Sequence, residues 1–186
     1  MKRFLLLLAI GLGYAEPVFI EVAQNDPQFS MFERKSSRRE IAPVDNALYK
    51  KECASCHFGY QPGLLPAQSW TYIMQNLEKH YGVDASIDEE DRVAITEYVL
   101  ANSSEKAAAM YRRSAKLTSS MQPGVLYLSI TEIPYHIKKH RKIDKHLIAQ
   151  KEVGSLARCA ACHTSADDGV YRKRYVKIPN YGAWRD

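Results

Sequence analysis

Apolar side chains recur at helical spacing along much of the chain. The clearest stripe, at positions i, i+3, i+4, i+7 and i+11, consists of Trp70, Ile73, Met74, Leu77 and Tyr81. Apolar residues at these intervals share one face of an α-helix. The stripe therefore predicts an amphipathic helix that Ser69 caps and Gly82 ends.

Three further helices are predicted in the first two thirds of the chain. Asp45 is a candidate N-cap for a helix that runs into Cys53. The segment Ser86-Ile87-Asp88-Glu89 has the pattern of a capping box, and it predicts a helix to about Asn102. An alanine-rich helix is expected over roughly 105–116.

The remaining third has weaker signals. Residues 118–124 are rich in turn formers and predict a boundary between two halves, after which 125–130 is an apolar, extended candidate. Thr131 is a candidate cap for a helix that reaches His140. Pro134 would lie in the first turn of this helix, where proline is tolerated. Ser155 is the candidate cap of a last short helix.

The N-terminus has the pattern of a secretory signal peptide. Lys2 and Arg3 precede an apolar run over 4–12, and small residues lead to Ala15. The run is shorter than the roughly 20 apolar residues that span a bilayer. We predict cleavage after residues 1–15 and an exported, periplasmic protein that is not embedded in a membrane. A retained interfacial anchor is the alternative.

Composition and charge limit the possible partners. The chain has 186 residues, of which 46% are hydrophobic and 25% charged, as in ordinary soluble globular proteins. Loss of Lys2 and Arg3 with the signal peptide would lower the formal net charge from +5 to +3. No nucleic-acid-binding motif is present, so nucleic acid is not an expected partner.

All four cysteines lie in two C-x-x-C-H motifs, Cys53-Ala54-Ser55-Cys56-His57 and Cys159-Ala160-Ala161-Cys162-His163. This motif is the attachment signature of c-type haem. Positions i, i+3 and i+4 share one face of a helical turn, so two sulfurs can form thioethers to the haem vinyl groups while the histidine binds the iron. The sequence predicts two covalent haem c groups, with His57 and His163 as proximal ligands.

Three other uses of these cysteines fit the sequence less well. Two local disulfides would suit an oxidising compartment but would leave both histidines without a role. A thioredoxin-like dithiol would require a βαβ context, which neither motif has. A four-cysteine zinc site would have to join pairs about a hundred residues apart, outside the usual spacing.

The second axial ligand of the first haem is predicted to be His80. This residue follows Leu77 by three positions, on the apolar face of the predicted helix. Methionine is the competing ligand type. Met74 lies in the same apolar stripe, where methionine usually fills a core, whereas Met121 lies in a Pro-Gly loop suited to a ligand.

The second haem has two candidate distal ligands. His136 and His140 are four residues apart, so both lie on one face of the predicted helix and both could approach the same iron. Spacing alone does not choose between them. His146 lies among charged residues and is expected to be solvated.

At this point the sequence resembles the dihaem cytochrome c (DHC) family of exported bacterial proteins. The resemblance extends from about residue 44 onward, and its most specific part is Pro62-Gly63-Leu64-Leu65-Pro66-Ala67 with Ser69-Trp70. The other matching segments are Glu52 to His57, His80-Tyr81-Gly82 with Asp84-Ala85-Ser86, Ile130-Thr131-Glu132 with Pro134 and His140, Cys159 to Thr164, and Ile178-Pro179.

The resemblance carries further implications. It favours His80 and His140 as distal ligands, and it has an aromatic residue near position 136, so His136 departs from the family pattern. The expected fold is mostly α, with two small cytochrome c-like haem-binding halves over 44–117 and 118–186 behind an N-terminal arm over 16–43. The implied function is low-potential electron transfer to small periplasmic cytochromes or a membrane cytochrome.

Closed axial positions would make the protein an electron relay and not an enzyme. With an imidazole on each side of the iron, neither substrate nor peroxide can bind without displacing a ligand. The alternative is a haem enzyme, similar to dihaem peroxidases, with one open or labile axial position. A cluster of cations around His140 either steers an acidic redox partner or balances the haem propionates. It comprises Lys138, Lys139, Arg141, Lys142 and Lys145.

Overall fold

The computed structural model describes residues 39–185, so the predicted signal peptide over 1–15 and most of the predicted arm over 16–43 lie outside the described residues. The helices are α1 (Ala47–Cys53), α2 (Ala67–Gln75), α3 (Glu89–Ala101), α4 (Ser104–Ala107), α5 (Arg112–Thr118), α6 (Pro134–His140) and α7 (Lys145–Ala149). Short 3₁₀ turns lie at Pro62–Leu64, Leu77–Lys79, Ile130–Glu132, Cys159–Ala161 and Lys173–Tyr175.

The mostly α fold predicted from the sequence is confirmed. Over residues 39–185 the only sheet is a two-stranded antiparallel hairpin of β1 (Lys177–Ile178) and β2 (Gly182–Ala183). The extended candidate at 125–130 forms no strand. None of the described helices combines the length and apolar character that a membrane span requires.

The helix predicted over the apolar stripe is shorter than expected. Ser69 is not its cap but a fully buried residue inside α2, which starts after Pro66. The helix ends at Gln75. The backbone of its C-cap residue, Asn76, leaves the helical region (φ −132°, ψ 37°), and the side-chain amide of Asn76 donates to the carbonyl of Tyr72. His80 consequently lies beyond α2, after a 3₁₀ turn.

Several other predicted ends are wrong by a few residues. Asn46 caps α1 by accepting from the amide of Tyr49 at 2.8 Å, so Asp45 is not the cap. Asp88 precedes α3, and the expected capping box at Ser86 does not form. The predicted helix over 105–116 is split between α4 and α5.

Two predicted caps in the second half are also wrong. Ser129, not Thr131, begins the local structure, because its hydroxyl and the Glu132 carboxylate form a capping box around a 3₁₀ turn. Ile133 then precedes α6. Ser155 caps no helix, since the second cysteine motif starts in a 3₁₀ turn instead.

One buried cluster joins the two predicted halves. Its members come from 41 to 133 and again from the segment after the second cysteine motif, and they include Ile41, Tyr49, Leu64, Trp70, Ile95, Leu117, Ile130, Ala166 and Tyr171. Removing such apolar surface from water is the main favourable term in folding. The two cysteine motifs are therefore held on a shared core, while the domain boundary near 118 stays a prediction.

Buried hydrogen bonds join the loop after the first cysteine motif to residues near the second motif. The Gln61 side chain, fully buried, donates to the carbonyl of Ala166 and accepts from the hydroxyl of Tyr171, both at 2.6 Å. Tyr60 donates to the carbonyl of Ala157, also at 2.6 Å. Because buried polar groups are costly when unpaired, these bonds fix how the loop after the first motif meets the second.

Gly169 ties the start of the described chain to the loop after the second motif. Its carbonyl accepts from the amides of Glu40 and Ile41 at 2.8 and 3.3 Å. Its φ is +74°, and a Cβ atom there would overlap the carbonyl oxygen of Ile41. Only glycine fits both the backbone conformation and this close approach.

We expect Gly169→Ala to destabilise the protein more than Gly182→Ala. Both glycines have positive φ, which costs an alanine about 1–2 kcal/mol, but a Cβ atom at Gly182 would meet no other atom within 4 Å. Backbone contact at Gly169 should add about 2 kcal/mol to that penalty. Urea denaturation of the holoprotein measures both changes, and equal losses would contradict the packing described here.

Candidate haem-binding sites

The first motif follows directly from the end of α1. Cys53 is the last residue of that helix, and Cys56 and His57 lie in the turn behind it, where both are exposed. The ring Nδ1 of His57 is 2.7 Å from the carbonyl oxygen of Phe58. Because a carbonyl only accepts, Nδ1 carries the proton and Nε2 is left for a metal, as is usual for metal-binding histidines.

His80 lies opposite His57. The two ring centroids are 6.1 Å apart, and the ring planes are nearly parallel, at 18°. Burial, followed by the proximity of His57, lowers the pKa of His80. Lowering this pKa favours the neutral imidazole, which is the form that binds metals.

The second motif is held by the C-terminal segment. Cys159 begins a 3₁₀ turn, and the amide of Lys177 donates to the carbonyl of Cys162 at 3.0 Å. His163 forms an isolated antiparallel bridge with Val176. Burial, with a smaller effect of His140, lowers the pKa of His163 to about 4, so its imidazole is neutral at neutral pH.

His140 lies opposite His163. The ring centroids are 6.2 Å apart and the planes are nearly perpendicular, at 77°. The Nδ1 of His140 donates to the carbonyl of His136, one helical turn earlier, at 2.8 Å. As at His57, this bond leaves Nε2 available.

Both separations match a metal ion placed between two imidazoles. Two bonds of about 2 Å, plus the distance from each nitrogen to its ring centre, give a centroid separation of about 6 Å. In residues 39–185 no group of three or more His, Cys, Asp or Glu side chains could hold a metal ion by itself. An iron already held by a porphyrin needs only two further ligands, so a pair of imidazoles at this separation fits such an iron.

A cavity of about 470 Å³ adjoins the second pair. It is within the usual range for ligand and cofactor sites. Its wall includes Cys159, Cys162, His140 and His163, together with the apolar side chains of Leu156, Val176 and Trp184. Thiols, imidazoles and apolar surface around one cavity fit a covalently attached haem.

His136 does not line this cavity, but it lines a smaller one of about 40 Å³ that also includes His140, Cys159 and His163. Its ring is stacked on that of His140, with the two centroids 3.9 Å apart, and only 8% of its surface is exposed. Burial lowers its pKa to about 3, and its Nδ1 has no hydrogen-bond partner. Of the two histidines that spacing could not separate, the structure brings His140 to the larger cavity.

Three of the four thiols, those of Cys53, Cys159 and Cys162, differ from redox-active cysteines in their pKa. All four are free in the structure. Burial raises the pKa of Cys53 and of Cys159 to about 11, and it also raises that of Cys162. Reactive dithiols depend on a lowered pKa, so these environments do not favour a thioredoxin-like role.

The family model for dihaem cytochrome c matches residues 49–171. The chain belongs to this family. The match spans both cysteine motifs, His80 and His140, and it confirms the family predicted from the sequence.

Solved structures of the family resemble this chain over most of its described length. A dihaem cytochrome c from Rhodobacter sphaeroides is 34% identical, with 70% of this chain and 99% of that chain covered and a TM-score of 0.62. One from Shewanella baltica is 32% identical, with 76% and 99% covered and a TM-score of 0.60. No protein of curated function is significantly similar in sequence.

The protein is thus a haem-binding cytochrome of a family with two haem groups, a class that serves in electron transfer. The sequence motifs did not indicate two residues that shape the second site. The Tyr171 ring centroid is 5.1 Å from that of His163. Arg113 forms an ion pair with Glu40 at 3.0 Å and donates to the carbonyl of Tyr171 at 3.1 Å. Neither lies in a motif, and only the folded chain brings them to the site.

Proposed function

We propose that this protein is a periplasmic electron relay that passes single electrons between redox partners through two covalently bound, bis-histidine haem c groups. The observation that carries the proposal is the pair of facing imidazoles at each C-x-x-C-H motif, 6.1 and 6.2 Å apart. Bound haem supplies the one-electron couple of its iron. Residues of the chain attach the haem, bind its iron and orient these ligands.

At the first site, we assign Cys53 and Cys56 to covalent attachment and His57 and His80 to the iron. The carbonyl of Phe58 orients His57 by accepting from its Nδ1. Met121, the methionine alternative, is half-buried and packs against the apolar core, and Met74 is buried within that core, which supports packing roles for both.

At the second site, we assign Cys159 and Cys162 to attachment and His163 and His140 to the iron. The hydrogen bond from His140 to the carbonyl of His136 orients the His140 ring. Val176, which directly precedes β1, forms the backbone bridge with His163. His136 is the alternative that the sequence left open, and it does not line the larger cavity, which argues against it.

Two imidazoles on each iron would close the positions at which a substrate could bind, which favours relay over catalysis. Bis-histidine ligation also implies lower reduction potentials than histidine–methionine ligation, because methionine raises the potential of a c-type haem. The periplasmic location is supported by the basic residues, apolar run and small residues at the N-terminus. Other redox proteins, a small cytochrome or a membrane cytochrome, are the proposed partners.

Covalent attachment predicts a specific mass. The holoprotein purified from an exporting host should carry the mass of the mature chain plus two haem groups after denaturation, because thioether bonds survive unfolding. Cys159→Ala/Cys162→Ala should lose one of them and keep the other. Electrospray mass spectrometry under denaturing conditions measures this, and a haem-free mass would refute the attachment.

Changes at the distal histidines should alter one haem at a time. In ferric EPR spectra, His80→Ala and His140→Ala should each convert about half of the low-spin signal to high spin, since one iron of two loses a ligand. Each ferrous variant should then bind carbon monoxide, whereas the parent should not.

His136→Ala is the matched control for the second haem. It lies one turn from His140 in the same helix, and both haems should stay low-spin in this variant. High-spin iron in His136→Ala, with none in His140→Ala, would reverse the ligand assignment. Carbon monoxide binding by the parent would favour the enzyme alternative.

A further inference from the structure

The lining of the 470 Å³ cavity at the second site is strongly basic. Among the described residues that line it are ten Lys and Arg side chains and one carboxylate, that of Glu40, which is paired with Arg113. We use the name basic rim for Arg112, Lys116, Lys138, Lys139, Arg141 and Lys173. They come from α5, from α6 with the residue that follows it, and from the C-terminal segment, so folding gathers charges that are distant in sequence.

Cations of the basic rim that come from different helices lie close enough to repel one another. Lys116 and Lys139, from different helices, both lie over the ring of Tyr135, at 5.8 and 5.6 Å from its centroid. The pKa of Lys116 is lowered, first by Arg112 and also by Lys139, because like charges disfavour its protonated form. Maintaining such repulsion is unfavourable for the isolated protein, and a surface anion would relieve it.

Haem propionates cannot neutralise this charge. A haem carries two propionates, and even if both lay against the rim, four of its six positive charges would stay unbalanced. The positive charge is also concentrated in the second part of the sequence. Residues 103–185 contain 16 Lys and Arg against 6 Asp and Glu, whereas 44–102 contain 4 against 9.

We propose that the basic rim is the docking surface for an acidic redox protein, so that electrons exchanged with that partner pass through the second haem. The inference rests on the proposed relay function and adds the chemistry of one partner and its point of contact. The mixture of exposed cations around a tyrosine is typical of a surface that orients a charged partner. The partner's electron-transfer site must then be surrounded by carboxylates.

Reduction kinetics with two flavin semiquinones test the charge at the entry point. Flavin mononucleotide carries an anionic phosphate, whereas lumiflavin is uncharged and similar in reactivity. With the ferric holoprotein, the rate constant for the flavin mononucleotide semiquinone should fall as salt shortens the screening length from about 30 Å at 0.01 M to about 3 Å at 1 M. The rate constant for lumiflavin should not change.

Charge-reversal variants test whether the salt dependence arises at the basic rim. Lys116→Glu/Lys138→Glu should lower the low-salt rate constant with flavin mononucleotide by about threefold or more, since attraction becomes repulsion. Lys106→Glu/Lys50→Glu makes the same change in net charge at exposed helical positions outside the rim, and its effect should be much smaller. Unchanged low-spin EPR signals check that both variants fold.

Poly-L-glutamate serves as the probe for an acidic macromolecular surface. It should slow the flavin mononucleotide reaction of the parent and of the control variant, but not that of the rim variant. Equal rates for the two double variants, or equal inhibition of both, would overturn the docking proposal and leave the relay intact. Failure of lumiflavin to reduce the parent would instead contradict the relay itself.

Discussion

The proposed haem ligation depends on one geometric constraint, the separation of the two imidazole rings across each site. In the sequence, His57 precedes α2 and His80 follows it. His140 ends α6, and His163 lies more than twenty residues further along the chain. Their centroid separations of 6.1 and 6.2 Å leave room for one metal ion and two short bonds. A shift of about an ångström in either backbone would make the separation too long or too short for two such bonds.

The rest of the fold maintains these distances. The shared core places both motifs against the same buried side chains, and Gln61 links the loop after the first motif to Ala166 and Tyr171 near the second. Arg113 connects Glu40 to the same region. The consequence is that neither site is an independent module, since packing at one motif bears on the position of the other.

Local chemistry in the sequence explains how much of this was predictable. The attachment motifs and the proposed partner histidine of the first site were predicted from short spacings. Such spacings survive errors in helix ends: α2 ends at Gln75, yet the ring of His80 still lies 6.1 Å from that of His57. The second site was different. His136 and His140 share a helix face, so no periodicity separates them, and their burial depends on distant side chains. The role of the aperiodic tail likewise appears only in tertiary contacts.

Inequivalence of the two sites follows from the same geometry. The imidazole planes are nearly parallel at the first site and nearly perpendicular at the second, and the basic rim surrounds the second alone among the described residues. The most direct test is a crystal structure of the holoprotein with iron located by anomalous scattering. Each iron should lie between the Nε2 atoms of one pair, His57 with His80 and His140 with His163. An iron bound by methionine, by His136 or by water in place of either distal histidine would contradict the account.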